Sequence, residues 1–434
     1  MNYEALGISY TVFHVLVGSA LLGVLGGVLG SFALLRRQSL LSDALAHAAL
    51  PGVCFAFLLT GAREPVPLLV GALVSGLLGA LLVLAVVRTS RIKEDTALGI
   101  VLSVFFGLGI VLLTYIQHQS PAGSQAGLDK FLFGQPAALT TKDLRVMGVL
   151  GAVVLGVVII LYKEFKLISF DTNFAGSLGR PTVLVEVILT GLLVVVIVIG
   201  LQTVGVVLMV ATLITPAAAA RQWTDRLSVM LVLAALIGAG SAAGGAIWSG
   251  FANVPTGPAI VLVASALLVV SLFVAPQRGI AWAWFRQRAF RVRIQTENLL
   301  KDLYELEERR GERTGGVNLA DLMGMRGQRP GEIRSLVRRL RRRDFVESMD
   351  LERVRLNTVG RAEAEQVIRR HRLWELYLTE RMALPSDHVH RDAEDIEHVM
   401  TGEMADRLAA QLGDPSVDPH GRAIPPDRDG GMAS

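Results

Sequence analysis

Nine runs of about 20 apolar residues crowd into the first 275 positions, and a chain that carries them has few ways to fold. They lie near 10–35, 40–60, 66–87, 96–116, 144–162, 182–200, 202–220, 227–248 and 257–275. Each is long enough to cross the ~30 Å hydrocarbon core of a bilayer as a helix. Lipid offers the backbone no hydrogen bonds, so helices or closed barrels are the available spanning structures. Residues 1–275 hold 25 of the 80 charged residues and residues 276–434 hold the other 55. We therefore expect an all-α polytopic membrane domain of about nine transmembrane helices. A soluble domain of about 150 residues, long enough to bury its own core, should follow it.

The loops set an orientation. Arg36/Arg37, Arg88/Arg91/Lys93, Lys163/Lys166/Arg180, Arg221/Arg226 and the Arg278–Arg293 region fall on one side, against Arg63, Lys130, Lys142 and Arg145 on the other. The richer side is expected to be cytoplasmic, which puts the N-terminus outside and the tail inside. The absence of Lys or Arg before Arg36 argues against a secretory signal peptide. The tail is nearly balanced, with 28 basic and 27 acidic residues, so the positive net charge says little about nucleic acid. The single cysteine, Cys54, excludes a disulfide framework or thiolate cluster within one chain. In the seventh run, Thr212, Thr215 and Pro216 suggest a broken or re-entrant helix. Gly23, Gly26, Gly27 and Gly30 permit close helix contact, but we read them as the ordinary glycine enrichment of membrane helices.

One polar stretch lies inside the second run: Ser39-Leu40-Leu41-Ser42-Asp43-Ala44-Leu45-Ala46-His47-Ala48-Ala49-Leu50-Pro51-Gly52. Asp43 and His47 are four residues apart and so share a helical face. Ionisable groups at membrane depth are costly and usually face a bundle interior or an aqueous path, and a carboxylate with an imidazole suits a divalent transition metal. The alternative is that Asp43 pairs with Arg36 and Arg37 at the interface while His47 fills a packing gap. Glu186, near the start of the sixth run, either pairs with Arg180 or lines the same pathway.

A second signal is the loop Phe170-Asp171-Thr172-Asn173-Phe174-Ala175-Gly176-Ser177-Leu178-Gly179. A short helix with a small residue and a terminating glycine suits insertion into a partner's groove. Its Ala-x-x-x-Gly spacing resembles the coupling loop by which importer permeases dock on their ATPase. Together with Asp43–Gly52, Pro255-Thr256-Gly257 and Leu213-Ile214-Thr215-Pro216-Ala217-Ala218, it resembles the permease family of ABC importers for zinc, manganese and iron, over residues 10–278. The resemblance implies a bacterial inner-membrane protein paired with a second permease copy, the same chain or a paralogue. It also implies an extracytoplasmic metal-binding protein as donor, Asp43 and His47 as pathway ligands, and Phe170, Asp171, Ala175 and Gly179 in the ATPase-coupling loop. None of the six lysines (93, 130, 142, 163, 166 and 301) follows a glycine, so no Walker A loop is present. The ABC ATPase is expected on another polypeptide.

The tail opens with an amphipathic, Trp- and Arg-rich stretch, Trp282–Arg293, expected at the membrane-lipid interface. Glu297–Arg310 reads as a helix, Val317–Gly324 and Pro330–Arg343 as two short helices, and Phe345–Asn357 as a two-stranded wing. That order is a winged helix-turn-helix. Arg334, Arg338 and Arg339 would contact phosphate if DNA binds, although Glu332 would oppose it. The alternative is a solvated arginine face, which we favour.

Five of the eight histidines fall between His371 and His420. His371 and Glu375 share one helical face, as do His390, Glu394 and Glu397/His398 on the next helix. Imidazoles and carboxylates without thiolate suit Mn²⁺, Fe²⁺ or Zn²⁺. With His371-Arg372-Leu373-Trp374-Glu375-Leu376, Val389-His390, Glu397-His398-Val399-Met400 and Asp418-Pro419-His420-Gly421, residues 295–425 resemble the metal-dependent repressors of the diphtheria-toxin-repressor type. The resemblance implies His371, Glu375 and His390 at one metal site and Glu394, Glu397 and His398 at another, with Glu394 favouring manganese. Two positions depart from it: Asn298 stands where that family has a Met or Asp ligand, and Lys301 where it has an acidic one.

The expected domains are the permease (1–278), an interfacial linker (279–296), the winged helix (297–362), a helical metal-binding and dimerisation domain (363–426) and a disordered end (427–434). Three functions fit. The first is the permease subunit of an ATP-driven importer for a divalent metal, manganese before iron or zinc, with a metal-sensing tail. The others are a membrane-tethered transcriptional regulator, and a metal channel or secondary carrier. The first is our expectation.

Overall fold

The structure is a computed structural model that describes residues 10–61, 65–119, 134, 136–276, 278–311, 316–326, 330–350, 352–385 and 389–427. The side chains of Pro65, Gln119, Gln202, Arg326, His390, Arg391, Asp392 and Asp395 are not included. Arg63 and Lys130, two of the loop charges, and the 428–434 end lie outside the described residues. The chain divides into two units, Met1–Ala283 and Trp284–Ser434.

The first unit is a helical bundle: α1 (Tyr10–Leu35), α2 (Leu41–Thr60), α3 (Pro65–Thr89), α4 (Glu94–Gln119), α5 (Thr141–Ile160), α6 (Tyr162–Phe170), α7 (Thr172–Ser177), α8 (Thr182–Thr203), α9 (Met209–Trp223), α10 (Leu227–Ala252) and α11 (Thr256–Val274). Among the described residues eight helices, α1–α5, α8, α10 and α11, are long and apolar enough to cross a membrane. That is one fewer than expected, and the reason lies in the seventh run. The chain leaves helix after Thr203, turns through Gly205 at φ 83°, and re-enters it at Met209. The resulting α9 has 15 residues, about 22 Å of helix, short of a full span. It is buried by Met209, Leu213, Ala217 and Ala220 rather than by length.

The α1 glycines are a packing seam, not background enrichment. A methyl group at Gly23 would overlap the Gly238 carbonyl of α10, and one at Gly27 would overlap that of Ala234. Gly30 meets the Leu213 carbonyl of α9 in the same way. Without side chains the backbones approach closely, which is how helices associate where lipid supplies no hydrophobic drive. Gly52 of α2 and Gly71 of α3 repeat the device. Helix α5 begins at a capping box in which Thr140 accepts from the Asp143 backbone N–H and Asp143 accepts in return.

The second unit starts within α12 (Ile280–Arg310). The expected linker and the expected first helix of the tail are therefore one continuous helix. Beyond it come β1 (Val317–Asn318), α13 (Leu319–Arg326), α14 (Pro330–Arg342), β2 (Val346–Ser348) and β3 (Arg353–Leu356). The three strands form an antiparallel sheet in the order β1-β3-β2, with Val317 opposite Val354 and Val346 opposite Leu356. This is a winged helix whose core joins Leu299, Leu303, Ile333, Leu336, Leu340 and Val354. The α14 face that carries Arg334, Arg338 and Arg339 is exposed. Helices α15 (Thr358–Met382), α16 (Val389–Ile396) and α17 (Gly402–Gln411) build the last layer around Leu373, Leu376, Met400, Leu408 and Ile424.

Candidate metal pathway and tail cluster

Asp43 and His47 lie one turn apart on α2, with His47 Nε2 3.5 Å from Asp43 Oδ1. The ring stands edge-on to Phe106 of α4, centroids 4.7 Å apart. Its Nδ1 is buried and has no hydrogen-bond partner among the described residues. Burying a ring nitrogen unpaired is costly, which sets this histidine apart from one that only fills space. Pro51 sits four residues further on and lacks the N–H that would reach the His47 carbonyl. Asp43 is not neutralised by Arg36, because that guanidinium reaches Glu186 instead.

Glu186 of α8 is braced by two arginines. Oε1 accepts from Arg36 and Oε2 from Arg88 at 3.1 Å. Arg180, its expected partner, pairs with Glu164 at 3.3 Å. Glu186 lines a cavity of about 120 Å³ with Gln38, Arg88 and Glu94.

The Phe170–Gly179 loop folds as the end of α6 and the short helix α7. Asp171 caps α7 by accepting from the Phe174 N–H at 2.8 Å, and Gly179 ends the turn at φ 73°. Ala175 points inward and is fully buried in the bundle core. Phe170, Phe174 and Leu178, spaced by four, are each more than half exposed. The spacing of these three was readable in the sequence; which way they point was not.

In the tail, His371, Glu375 and Glu397 gather, and a lysine joins them. Lys301 Nζ of α12 lies 3.0 Å from His371 Nδ1 and 3.1 and 3.4 Å from the two Glu397 oxygens. His371 Nε2 is 3.1 Å from Glu375 Oε1, and Nδ1 also contacts Glu397. All four side chains are at least 95 % buried. Burial alone would lower the His371 pKa, but its hydrogen bonds to Glu375 and Glu397 overcome both burial and the repulsion of Lys301, and the net shift is upward. Burial would raise Glu397, yet His371 and Lys301 hold it below the usual carboxylate range. His398 connects this group to a second: Nε2 is 3.6 Å from Glu397 Oε1 and 3.0 Å from Asn298 Oδ1, and Nδ1 is 2.7 Å from Glu297 Oε2. Burial would raise Glu297 as well, but hydrogen bonds from His398 and Arg293 bring it down. Glu394 is half-buried on α16, and the His390 side chain lies outside the described residues.

Residues 9–275 match the family model described as the ABC 3 transport family. The chain belongs to that family. Residues 357–426 of this ABC 3 family member match a second model, the iron dependent repressor metal binding and dimerisation domain. The chain is 50 % identical over 296 residues to the manganese transport system membrane protein MntC of Bacillus subtilis, covering 68 % of each protein. It is 30 % identical over 420 residues to a probable metal transport system membrane protein of Chlamydia trachomatis, covering 91 % of this chain and 92 % of that one, tail included. Among solved structures it resembles PsaBC from Streptococcus pneumoniae in complex with Fab, with 35 % identity and a TM-score of 0.57, over 63 % of this chain and 95 % of that one. The chain is thus a multi-pass membrane transport permease with a repressor-like regulatory domain fused to it.

Of the six tail residues selected from the sequence, His371, Glu375, Glu397 and His398 form a continuous chain of contacts, and the His390 side chain lies outside the described residues. No group of three or more His, Cys, Asp or Glu side chains is arranged to hold a metal ion among the described residues. Sequence reasoning missed Lys301 and Glu297 as members of the two groups. The signal for Lys301 was its basic charge at a position expected to be acidic. For Glu297 it was the spacing of four from Arg293, its partner at 2.6 Å.

Proposed function

We propose that this ABC 3 permease is the membrane subunit of an ATP-driven importer for a divalent transition metal, Mn²⁺ before Fe²⁺ or Zn²⁺. The observation that carries the reading is His47 beside the Asp43 carboxylate on a membrane-spanning helix, its buried Nδ1 without a hydrogen-bond partner among the described residues. An imidazole nitrogen and a carboxylate oxygen are ligands for such an ion, and the pair stands where an unserved polar group is otherwise expensive. The manganese transport role of the Bacillus subtilis relative supports the choice of cargo.

Asp43 and His47 meet the desolvated ion, and Glu186, committed to Arg36 and Arg88, braces the helix ends beside the path. The exposed row Phe170, Phe174 and Leu178 offers an apolar ridge to a separate ABC ATPase, with Asp171 and Gly179 shaping the turn and Ala175 anchoring it from within. A second permease copy and an extracytoplasmic metal-binding protein complete the machine, with the N-terminus outside and the tail in the cytoplasm. The tail regulates transport; metal sensing falls to Glu394 with His390 and His398, the last exchanging its contacts to Glu297 and Asn298 for the ion, because the Lys301 ammonium opposes a second cation beside His371 and Glu397.

Reconstitution in vesicles tests the reading. The permease, its ATPase and the binding protein together should accumulate Mn²⁺ only with ATP, and faster than Fe²⁺ or Zn²⁺. Uptake that runs without ATP, or an ATPase that turns over with no metal movement, would reject it in favour of a channel or a different cargo.

A further inference from the structure

The geometry points to Lys301 as a resident cation: its ammonium fills the place between His371 and Glu397 that a divalent metal would take, so this site in the tail is closed to metal and permanently assembled. Every residue involved belongs to the tail, apart from the membrane pair Asp43 and His47.

Three elements meet at the ammonium. Lys301 comes from α12, His371 from α15, and Glu397 from the turn that follows α16. An ammonium has three N–H donors and no acceptor; here it donates to the Glu397 carboxylate, whose oxygens are 3.1 and 3.4 Å away, and lies 3.0 Å from the His371 ring nitrogen. The lysine side chain is 2 % exposed and the Glu397 side chain 0 %. A buried charge persists at that depth when it is paired and hydrogen-bonded, and these contacts meet that condition.

A metal cannot share the space. Zn²⁺ binds an imidazole nitrogen and a carboxylate oxygen at roughly 2.0–2.2 Å, and an ion that close to His371 and Glu397 would lie against Nζ. Two cations at such a separation repel strongly in a poorly screened interior. Among the described residues the carboxylates in contact with His371 are Glu397 and Glu375, and Glu375 is 3.1 Å from the ring on its other side.

What a lysine does here is what a metal would do conditionally. It ties α12, which carries Leu299, Leu300 and Leu303 into the winged-helix core, to the helices of the repressor-like domain. Metal concentration therefore does not govern this joint.

The test counts Mn²⁺ bound to the full-length purified chain, read by loss of the free-ion electron paramagnetic resonance signal. Asp43→Ala and His47→Ala are present throughout to remove the membrane pair. The chain with the unchanged tail should bind as much Mn²⁺ as chains carrying His371→Asn or Glu375→Gln. Lys301→Glu, which supplies the missing acid and removes the ammonium, should gain about one Mn²⁺ per chain, and Mn²⁺ should then raise its melting temperature. Loss of Mn²⁺ in either His371→Asn or Glu375→Gln with the tail still folded by circular dichroism would overturn the inference. So would a folded Lys301→Glu chain that gains none. If Lys301→Glu does not fold, the comparison of the unchanged tail with Glu375→Gln decides.

Discussion

His47 Nε2 lies 3.5 Å from Asp43 Oδ1 across one turn of α2, and the other nitrogen of the same ring is buried with no hydrogen-bond partner among the described residues. A packing histidine would have both nitrogens served. This one faces a carboxylate with Nε2 and buries Nδ1 within the bundle.

Asp43→Asn and His47→Ala should each therefore abolish metal uptake, by at least about a hundredfold if one ligand contributes several kcal/mol to the pathway site, while insertion and assembly continue. The measurement is radioactive manganese uptake in vesicles alongside a detergent-solubilised size profile. Two variants that transport normally would take the pair out of the pathway.

The two faces of α7 should respond in opposite ways. Phe174→Arg changes an exposed side chain; it should leave the protein folded and weaken co-purification of the ATPase. Ala175→Arg forces a charged chain into a fully buried position, and should reduce folded yield itself, by overpacking and by unpaired burial. Equal effects of the two on folding, with the ATPase retained in both, would show that α7 is not the contact.

The α1–α10 seam depends on missing side chains. Gly23→Val places a branched side chain where even a methyl group overlaps the Gly238 carbonyl, and overpacking of this kind costs roughly 1–3 kcal/mol or more. A fluorescence melt of the purified permease should show a clear fall, while Gly148→Ala, which meets nothing nearby on α5, should change little. A seam that tolerates Gly23→Val would mean that α1 and α10 pack with more slack than their carbonyl contacts require.

In the tail, Arg372 is 2 % exposed and donates to Glu308 at 2.7 Å and to the Ala423 carbonyl, with Asp418 3.7 Å away. It fastens the 418–423 turn to α15. Arg372→Ala should destabilise the tail by about 3–5 kcal/mol, the usual cost of removing one partner from a buried pair. Proteolysis should then cut first near that turn; protection equal to the unchanged chain would count against the role.

Much of this protein was legible in its sequence because the controlling forces act locally. Apolar runs of spanning length dictated a helical membrane domain, since lipid leaves the backbone no other partner. The fall in apolar content after residue 275 marked the second unit, and the turn and strand signals between Val317 and Leu356 yielded the winged helix. Spacing alone put Asp43 and His47 on one helical face, where the structure has them 3.5 Å apart. Periodicity places residues on a face but says nothing about which neighbour that face meets. Only the tertiary structure could show that Ala175 turns inward while Phe174 turns out, that the run after Gln202 is a short buried helix, and that the α1 glycines face the backbones of α9 and α10. The same limit explains the tail: His371 and Glu375 are a local pair, but the charge that decides what they hold comes from Lys301, 70 residues earlier, brought to them by the packing of α12.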